Sequence, residues 1–364
     1  MNVPKLRFKE FNESYNIKEL NEITYNVASG KISKPVEDGN YNIYGSMGKI
    51  GTSNFYDYEG EKVLVARVGA NAGSVNKINE KCCISDNTLV LEPKDVLNDY
   101  LYYSLKHYNP QKLIFGSGQP LVTGGQLKKI KLGIPREKEQ LKVANFLSLL
   151  DKKIELQTKK IEDLKLFKKG LIKKIFSSDN LSEVYIKNLG TIITGTTPSK
   201  ENKSYWDNGT FAWITPTDIN YERDISSSIT LLTKEGLEKG RFVPKNSILV
   251  TCIASIGKNA VIKVDGSCNQ QINAIIPNDN YNSNYIYYLM EYISPYLQSI
   301  AGTSATAIVN KETFERVKVK VHNIDEQMNI DKILSSIESK ILLEDNLLNK
   351  LFELKKGLMQ NMFV

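Results

Sequence analysis

The chain has 364 residues, 41% hydrophobic, 9% aromatic and 24% charged, which is enough apolar side chain for a core and too long for one ordinary domain. Lys and Arg number 48 against 41 Asp and Glu, and the formal charge of +7 permits a polyanionic partner without demanding one. The apolar runs at 247–256 and 301–309 fall well short of the roughly 20 residues of a bilayer span, residues 1–10 hold no signal-peptide core, and Cys82, Cys83, Cys252 and Cys268 form no CxxC pair. A membrane span, a disulfide framework and a zinc site are therefore not expected, and the chain reads as a globular protein of the cytoplasm.

From the N-terminus, 62–68 and 88–91 are β-branched apolar runs expected to be strands, and 96–107 fits a short amphipathic helix. Polar, glycine-bearing loops surround them at 43–49, 69–73 and 115–120. From Glu137 to Phe176 there is no proline and one glycine near the end, and Leu147, Leu150, Ile154, Ile161, Leu164 and Leu171 follow a 4-3 spacing, the pattern of a long helix with one seam. The order then begins again. Strands are expected at 247–253 and 272–276, a helix at 284–298, loops at 194–200, 256–259 and 301–306, and a second long helix with its seam at Leu334, Ile337, Ile341, Leu348, Leu351 and Leu358.

This recurrence is a true internal repeat. Residues 127–176 align without a gap on 314–363, anchored by Glu139-Gln140 on Glu326-Gln327 and by Lys168-Lys169-Gly170-Leu171 on Lys355-Lys356-Gly357-Leu358. Upstream, Tyr100-Leu101-Tyr102-Tyr103 faces Tyr285-Ile286-Tyr287-Tyr288, and Val63-Leu64-Val65 faces Ile248-Leu249-Val250. The expected fold is α+β with an internal two-fold repeat: bodies at 1–135 and 179–322, and long helices at 136–178 and 323–364. The first tail carries 11 Lys against 6 acids and the second 5 Lys against 7, so the two attract. Antiparallel pairing within the chain is expected, because parallel pairing would require a connection back along the whole rod.

Catalytic groupings are sparse. His107 and His322 have no acid placed to make a triad, Phe115-Gly116-Ser117-Gly118 lacks the spacing of a phosphate loop, and no DPPY or NPPY tetrapeptide marks an amino-methyltransferase site. No cofactor is expected on this chain. Loop residues at strand ends that could reach phosphates or base edges are Lys49, Arg67, Arg241 and Lys258, with Ser117, Gln119, Thr303 and Ser304 as neutral candidates. Such residues equally make solvated turns. A self-contained methyltransferase or nuclease, and a coiled-coil interaction protein without DNA binding, are the alternatives.

The two-copy plan resembles the specificity subunits of bacterial type I restriction-modification enzymes. The resemblance is carried by the tails from Pro135-Arg136-Glu137-Lys138-Glu139-Gln140 to Lys168-Lys169-Gly170-Leu171, by Gly195-Thr196-Thr197-Pro198-Ser199 with Trp213-Ile214-Thr215-Pro216-Thr217-Asp218-Ile219, and by Tyr44-Gly45-Ser46-Met47-Gly48-Lys49. It implies that each body is a target recognition domain for one half of a bipartite, asymmetric sequence in double-stranded DNA. It implies a helix pair that sets the spacer and recruits two modification (methyltransferase) subunits. S-adenosylmethionine would then belong to those subunits, and ATP and magnesium to restriction/translocase subunits that join later.

Overall fold

The computed structural model describes residues 2–31, 34–45, 48–114, 119–178, 181–219, 222–301 and 307–364. They form two compact units, unit 1 from 1–159 and 345–364 and unit 2 from 160–344.

Unit 1 runs β1 (Asn16–Glu19), β2 (Thr24–Ser29), β3 (Tyr41–Gly45), β4 (Gly48–Ser53), β5 (Glu61–Ala66), β6 (Val75–Asn79), β7 (Cys82–Ile84), β8 (Thr88–Pro93), α1 (Asn98–Tyr108), α2 (Gly124–Lys128), β9 (Lys131–Ile134) and the first part of α3 (Glu137–Phe176). An antiparallel sheet in the order β2-β8-β5-β6 stands against a small sheet β4-β3-β7, in which β3 and β7 are parallel. The apolar run in β5 reflects burial on both faces. Val63 and Val65 pack with Tyr100, Leu101 and Leu105 of α1, while Leu64 faces the other way onto Cys82 and Ile84 of the small sheet.

Unit 2 repeats the plan with β10 (Ser182–Tyr185), α4 (Ile186–Leu189), β11 (Gly190–Thr194), β12 (Phe211–Ile214), β13 (Asp224–Ile225), β14 (Leu231–Leu232), α5 (Lys234–Lys239), β15 (Ile248–Thr251), β16 (Asn259–Ile262), β17 (Gly266–Cys268), β18 (Ile272–Pro277), α6 (Ser283–Ile300), α7 (Lys311–Glu315), β19 (Lys318–Val321) and α8 (Ile324–Met362). Its large sheet is β11-β18-β15-β16-β13 and its small sheet β14-β12-β17. Ile248 and Val250 pack on Tyr285, Ile286 and Leu289 of α6, and Leu249 turns to Ala212, Ile214 and Cys268. The expected strands at 62–68 and 247–253 stop earlier, at Ala66 and Thr251. Beyond them, Val68 and Ile253 make single bridges to Leu121 and Ile308, because distant loops supply their backbone partners.

The long helices pair antiparallel. In unit 1, Leu147 shares a cluster with Met362 and Phe363, and Leu150 and Ile154 pack on Leu351, with Leu348 and Leu358 against them. In unit 2, Ile172 and Phe176 pack with Ile330 and Leu334, and Leu171 and Ile337 lie against that cluster. Ile161 is buried, and Leu164 and Ile341 are half-buried. Near each C-terminal end the buried positions shift to Ile172 and Phe176 and to Met362 and Phe363, because there the helix lies on a globular core. Each body is thus completed by the tail of the other copy. Phe363 meets Tyr100 at 5.5 Å in unit 1, and Phe176 meets Tyr285 at 5.3 Å in unit 2.

Polar groups repeat with the same logic. Asp151 accepts from Tyr103 Oη at 2.8 Å and pairs with Lys355, while Glu338 accepts from Tyr288 Oη at 2.8 Å and pairs with Lys168 at 2.8 Å. Burial works against the Lys168 ammonium, yet Glu291 and Glu338 outweigh it and hold its pKa above the ordinary lysine value. The opposite charges of the two tails are therefore realised as particular pairs, Lys160–Glu344 at 2.6 Å among them. Gln140 accepts from the Leu97 peptide N–H at 2.9 Å and donates to the Pro135 carbonyl at 2.9 Å. Gln327 does the same with Asn282 at 3.0 Å and His322 at 2.9 Å, so each glutamine ties the start of its long helix to the start of the body's helix.

Candidate nucleic-acid interface

In unit 1 three segments meet where β5 ends. The Arg67 N–H donates to the Asn87 carbonyl at 2.9 Å, and its own carbonyl accepts from Val122 N–H at 2.8 Å. Two residues on, Gly69 N–H donates to the Pro120 carbonyl at 3.0 Å, which places exposed Gln119 at the same end of the unit as the half-buried Arg67. Gly69 has φ +84°, a left-handed backbone that favours glycine at this tight return. The third segment comes from the small sheet. Tyr44 pairs with Lys49 across β3 and β4, and its carbonyl accepts from Ser85 N–H at 2.9 Å. Lys49, exposed, therefore stands at the end of the unit where Arg67 and Gln119 gather.

Unit 2 builds the corresponding end with the same bonds. Cys252 N–H donates to the Gln271 carbonyl at 2.8 Å, and the Cys252 carbonyl accepts from Val309 N–H at 2.9 Å. Arg241 is exposed and donates to the Thr194 carbonyl at 2.7 Å, at the last rung of β11, where Thr194 pairs with Asn273. Lys258 is exposed, and its carbonyl accepts from Thr251 N–H at 2.8 Å at the same end of the sheet. Thr197 Oγ1 donates to Gln270 Oε1 at 2.6 Å, and Trp213 Nε1 donates to the Thr196 carbonyl at 3.1 Å. The Trp206 and Trp213 rings meet edge to face at 5.1 Å and hold the 196–199 loop against the small sheet. Ser117, Thr303 and Ser304 lie outside the described residues.

Backbone pairing thus puts Lys49, Arg67 and Gln119 at one end of unit 1, and Arg241 and Lys258 at one sheet end of unit 2. Sequence reasoning placed Thr197 in a polar loop and Thr215 to Asp218 in a motif without naming them as candidates, and missed Gln270. Loop composition alone carried no signal for Gln270; the Trp213 to Asp218 motif was the available pointer to the turn. The histidines sit elsewhere: His107 stacks on Phe363 at 5.5 Å, and His322 Nδ1 lies 2.9 Å from Tyr285 Oη. Among the described residues no group of three His, Cys, Asp or Glu could hold a metal ion, and no helix is long and apolar enough to cross a membrane. Two cation-bearing loop clusters on rigid sheet ends are suited to holding a polyanion and reading hydrogen-bonding edges.

The family described as the type I restriction modification DNA specificity domain matches the chain twice, over 9–166 and 179–353. The specificity subunit of the type I restriction enzyme MjaIX of Methanocaldococcus jannaschii is 36% identical over 162 residues, 43% of this chain and 37% of that protein. The EcoR124I/EcoR124II specificity subunit of Escherichia coli is 29% identical over 256 residues, 66% of this chain and 63% of that protein. The chain thus spans less than two thirds of either relative's length. The crystal structure of the type I restriction-modification S subunit from M. genitalium shares the fold, with a TM-score of 0.67 at 16% identity over 100% of this chain and 99% of that one.

Proposed function

The chain belongs to the type I restriction modification DNA specificity domain family, and from that premise we propose that it is the non-catalytic subunit that reads the target of a type I restriction-modification complex. Residues 1–135 and 179–322 are the target recognition domains, each taking one half of a bipartite, asymmetric site in double-stranded DNA. Lys49, Arg67, Gln119, Arg241 and Lys258 are the contacts we assign, and Ser117, Thr303 and Ser304 are assigned from the sequence alone. The observation that carries this reading is that one backbone scaffold, bonded alike in both units, ends in different side chains: Arg67 in unit 1 stands where Cys252 stands in unit 2.

Helices 136–178 and 323–364 set the spacer, since a helix of forty residues measures about 60 Å at 1.5 Å per residue. Their outward faces recruit two modification subunits. Leu141 and Met328, Phe146 and Ile333, Leu156 and Leu343, and Phe167 and Leu354 are repeat-related pairs, and all eight stay exposed. Apolar groups kept at matching positions in water favour a docked partner. S-adenosylmethionine then resides on those subunits, ATP and magnesium on restriction/translocase subunits, and the assembly works in the cytoplasm. Replacing 1–135 with the first domain of another family member tests the division of labour by sequencing methylated adenines in cells. One half of the methylated motif should change and the other persist, and a change in both halves defeats the proposal.

A further inference from the structure

Between β13 and β14, unit 2 carries Ser226, Ser227, Ser228, Ile229 and Thr230. Ile229 is 90% exposed, more than any other large apolar side chain among the described residues. A single exposed aliphatic group on an unconstrained loop needs no explanation, but this turn is braced. Ile229 N–H donates to Asp218 Oδ1 at 3.3 Å, and Asp218 Oδ2 accepts from the Thr215 N–H at 2.8 Å and from Thr215 Oγ1 at 2.6 Å. Ser228 Oγ accepts from Trp213 N–H at 3.0 Å and donates to the Thr230 carbonyl at 2.6 Å. Holding a turn in one conformation costs backbone entropy, and here the result is a bare β-branched group carried at a fixed backbone position.

Its position is equally defined. β12 pairs with β14 through Phe211 with Leu232 and Ala212 with Leu231, so Ile229 lies past the end of that ladder, beside Ile214 and Thr215. The Ile214 carbonyl accepts from Asn269 N–H at 2.9 Å, which adds Gln270 and its partner Thr197. This is the end of the unit that carries Arg241 and Lys258. The hydroxyls of 226–230 can serve phosphates or base edges alike, but the aliphatic group of Ile229 has no partner on a phosphate and can find one only on a base edge. On the major-groove edges the apolar feature is the thymine 5-methyl group. Resting on the reading that unit 2 binds duplex DNA, we infer that Ile229 reads a thymine by packing against its 5-methyl group.

Unit 1 differs at the matching place. There Lys49 pairs with Tyr44, and Ile50 leans over Gly45, its Cγ2 lying 2.9 Å from where a Cβ on that glycine would be. A cation, and an isoleucine 56% exposed that rests on Gly45, stand where unit 2 projects an isoleucine 90% exposed.

The test uses the full chain with its modification subunits and a target duplex selected from random sequences. Deoxyuridine replaces each thymine in turn on either strand, which removes the methyl and leaves the pairing edge intact. At one position this should weaken wild-type binding about fourfold, the ratio that one buried methyl-sized group supports. The same position should have no effect on Ile229→Ala, which itself binds the thymine duplex about fourfold less tightly. The inference fails if no deoxyuridine position matters to the wild type, or if the effect persists in Ile229→Ala. It fails too if Ile229→Ala weakens every duplex alike, the mark of a wedge between base steps, or if it sheds modification subunits with DNA binding unchanged. Selection of no preferred sequence would instead remove the DNA reading on which the inference rests.

Discussion

In unit 1 the peptide of Arg67 bonds to Asn87 and Val122, and in unit 2 the peptide of Cys252 bonds to Gln271 and Val309. One backbone position therefore carries a half-buried arginine in the first copy and a cysteine of the hydrophobic core in the second, its thiol pushed up to about 11 by burial. Main-chain groups hold the end of each sheet alike, so one scaffold accommodates different side chains in the two copies. The helix contacts differ as well. Asp151 in unit 1 meets Tyr103 and Lys355, whereas Glu338 in unit 2 meets Tyr288, Lys168 and also Arg223 at 3.0 Å. Arg223 further donates to Ser335 Oγ at 2.7 Å, so the stretch leading into β13 is bolted to α8. Burial disfavours the Arg223 charge, but Asp224, Tyr288 and Glu338 outweigh it and hold its pKa above the ordinary value. Unit 2 ties the stretch before β13 to a long helix through a half-buried cation.

The largest expected effect separates the units by their borrowed tails. Phe176 and Phe363 are related by the repeat and buried in different units, at 1% and 6% exposure. Phe176→Ala should destabilise unit 2, and Phe363→Ala unit 1, by roughly 3 to 5 kcal/mol each. Hydrogen exchange followed segment by segment should show the loss confined to one unit in each variant, and equal loss in both would contradict the exchange of tails. Next come the half-buried lysines. Lys168 has two carboxylate partners and Lys355 one at bonding distance. Lys168→Met should therefore cost about 3 kcal/mol, and Lys355→Met noticeably less, as read from urea unfolding. A larger cost at Lys355 would reverse the comparison.

Binding sharpens the contrast at the sheet ends. Arg67→Ala should cost roughly 1 to 3 kcal/mol and relax one base position, whereas Cys252→Ala should leave the motif intact. Lys258→Ala should weaken all duplexes alike and lower the salt slope by about one. Filter binding over a series of salt concentrations distinguishes the two kinds of contact. The smallest effect is one of pH. Burial lowers the pKa of both His107 and His322 below the ordinary 6.5. Below pH 6.5 the unfolded chain therefore binds protons that the folded histidines refuse, so stability present above pH 6.5 is lost as the pH falls. His107→Phe should flatten this dependence in unit 1 and leave it in unit 2, as thermal unfolding between pH 7.5 and 5.5 would show.

Much of the architecture was legible before any coordinates. Self-similarity at an offset of 187 gave the two copies, the 4-3 spacing of Leu147, Leu150 and Ile154 gave the long helices, and the opposite charges of the tails gave their attraction. Those signals are one-dimensional: period, register and sign survive in the linear order of residues because helix and strand geometry repeat along the chain. What the tertiary structure decided was who meets whom. Nothing in the text of residues 359–364 says that Phe363 closes unit 1 against Tyr100, because that contact depends on the antiparallel return of a helix more than two hundred residues away. The sheet end of unit 2 is the extreme case. Thr215, Asp218, Ile229 and Gln270 are ordinary turn residues in the sequence, and only strand pairing, which brings distant carbonyls and N–H groups within 3 Å, gathers them on one surface.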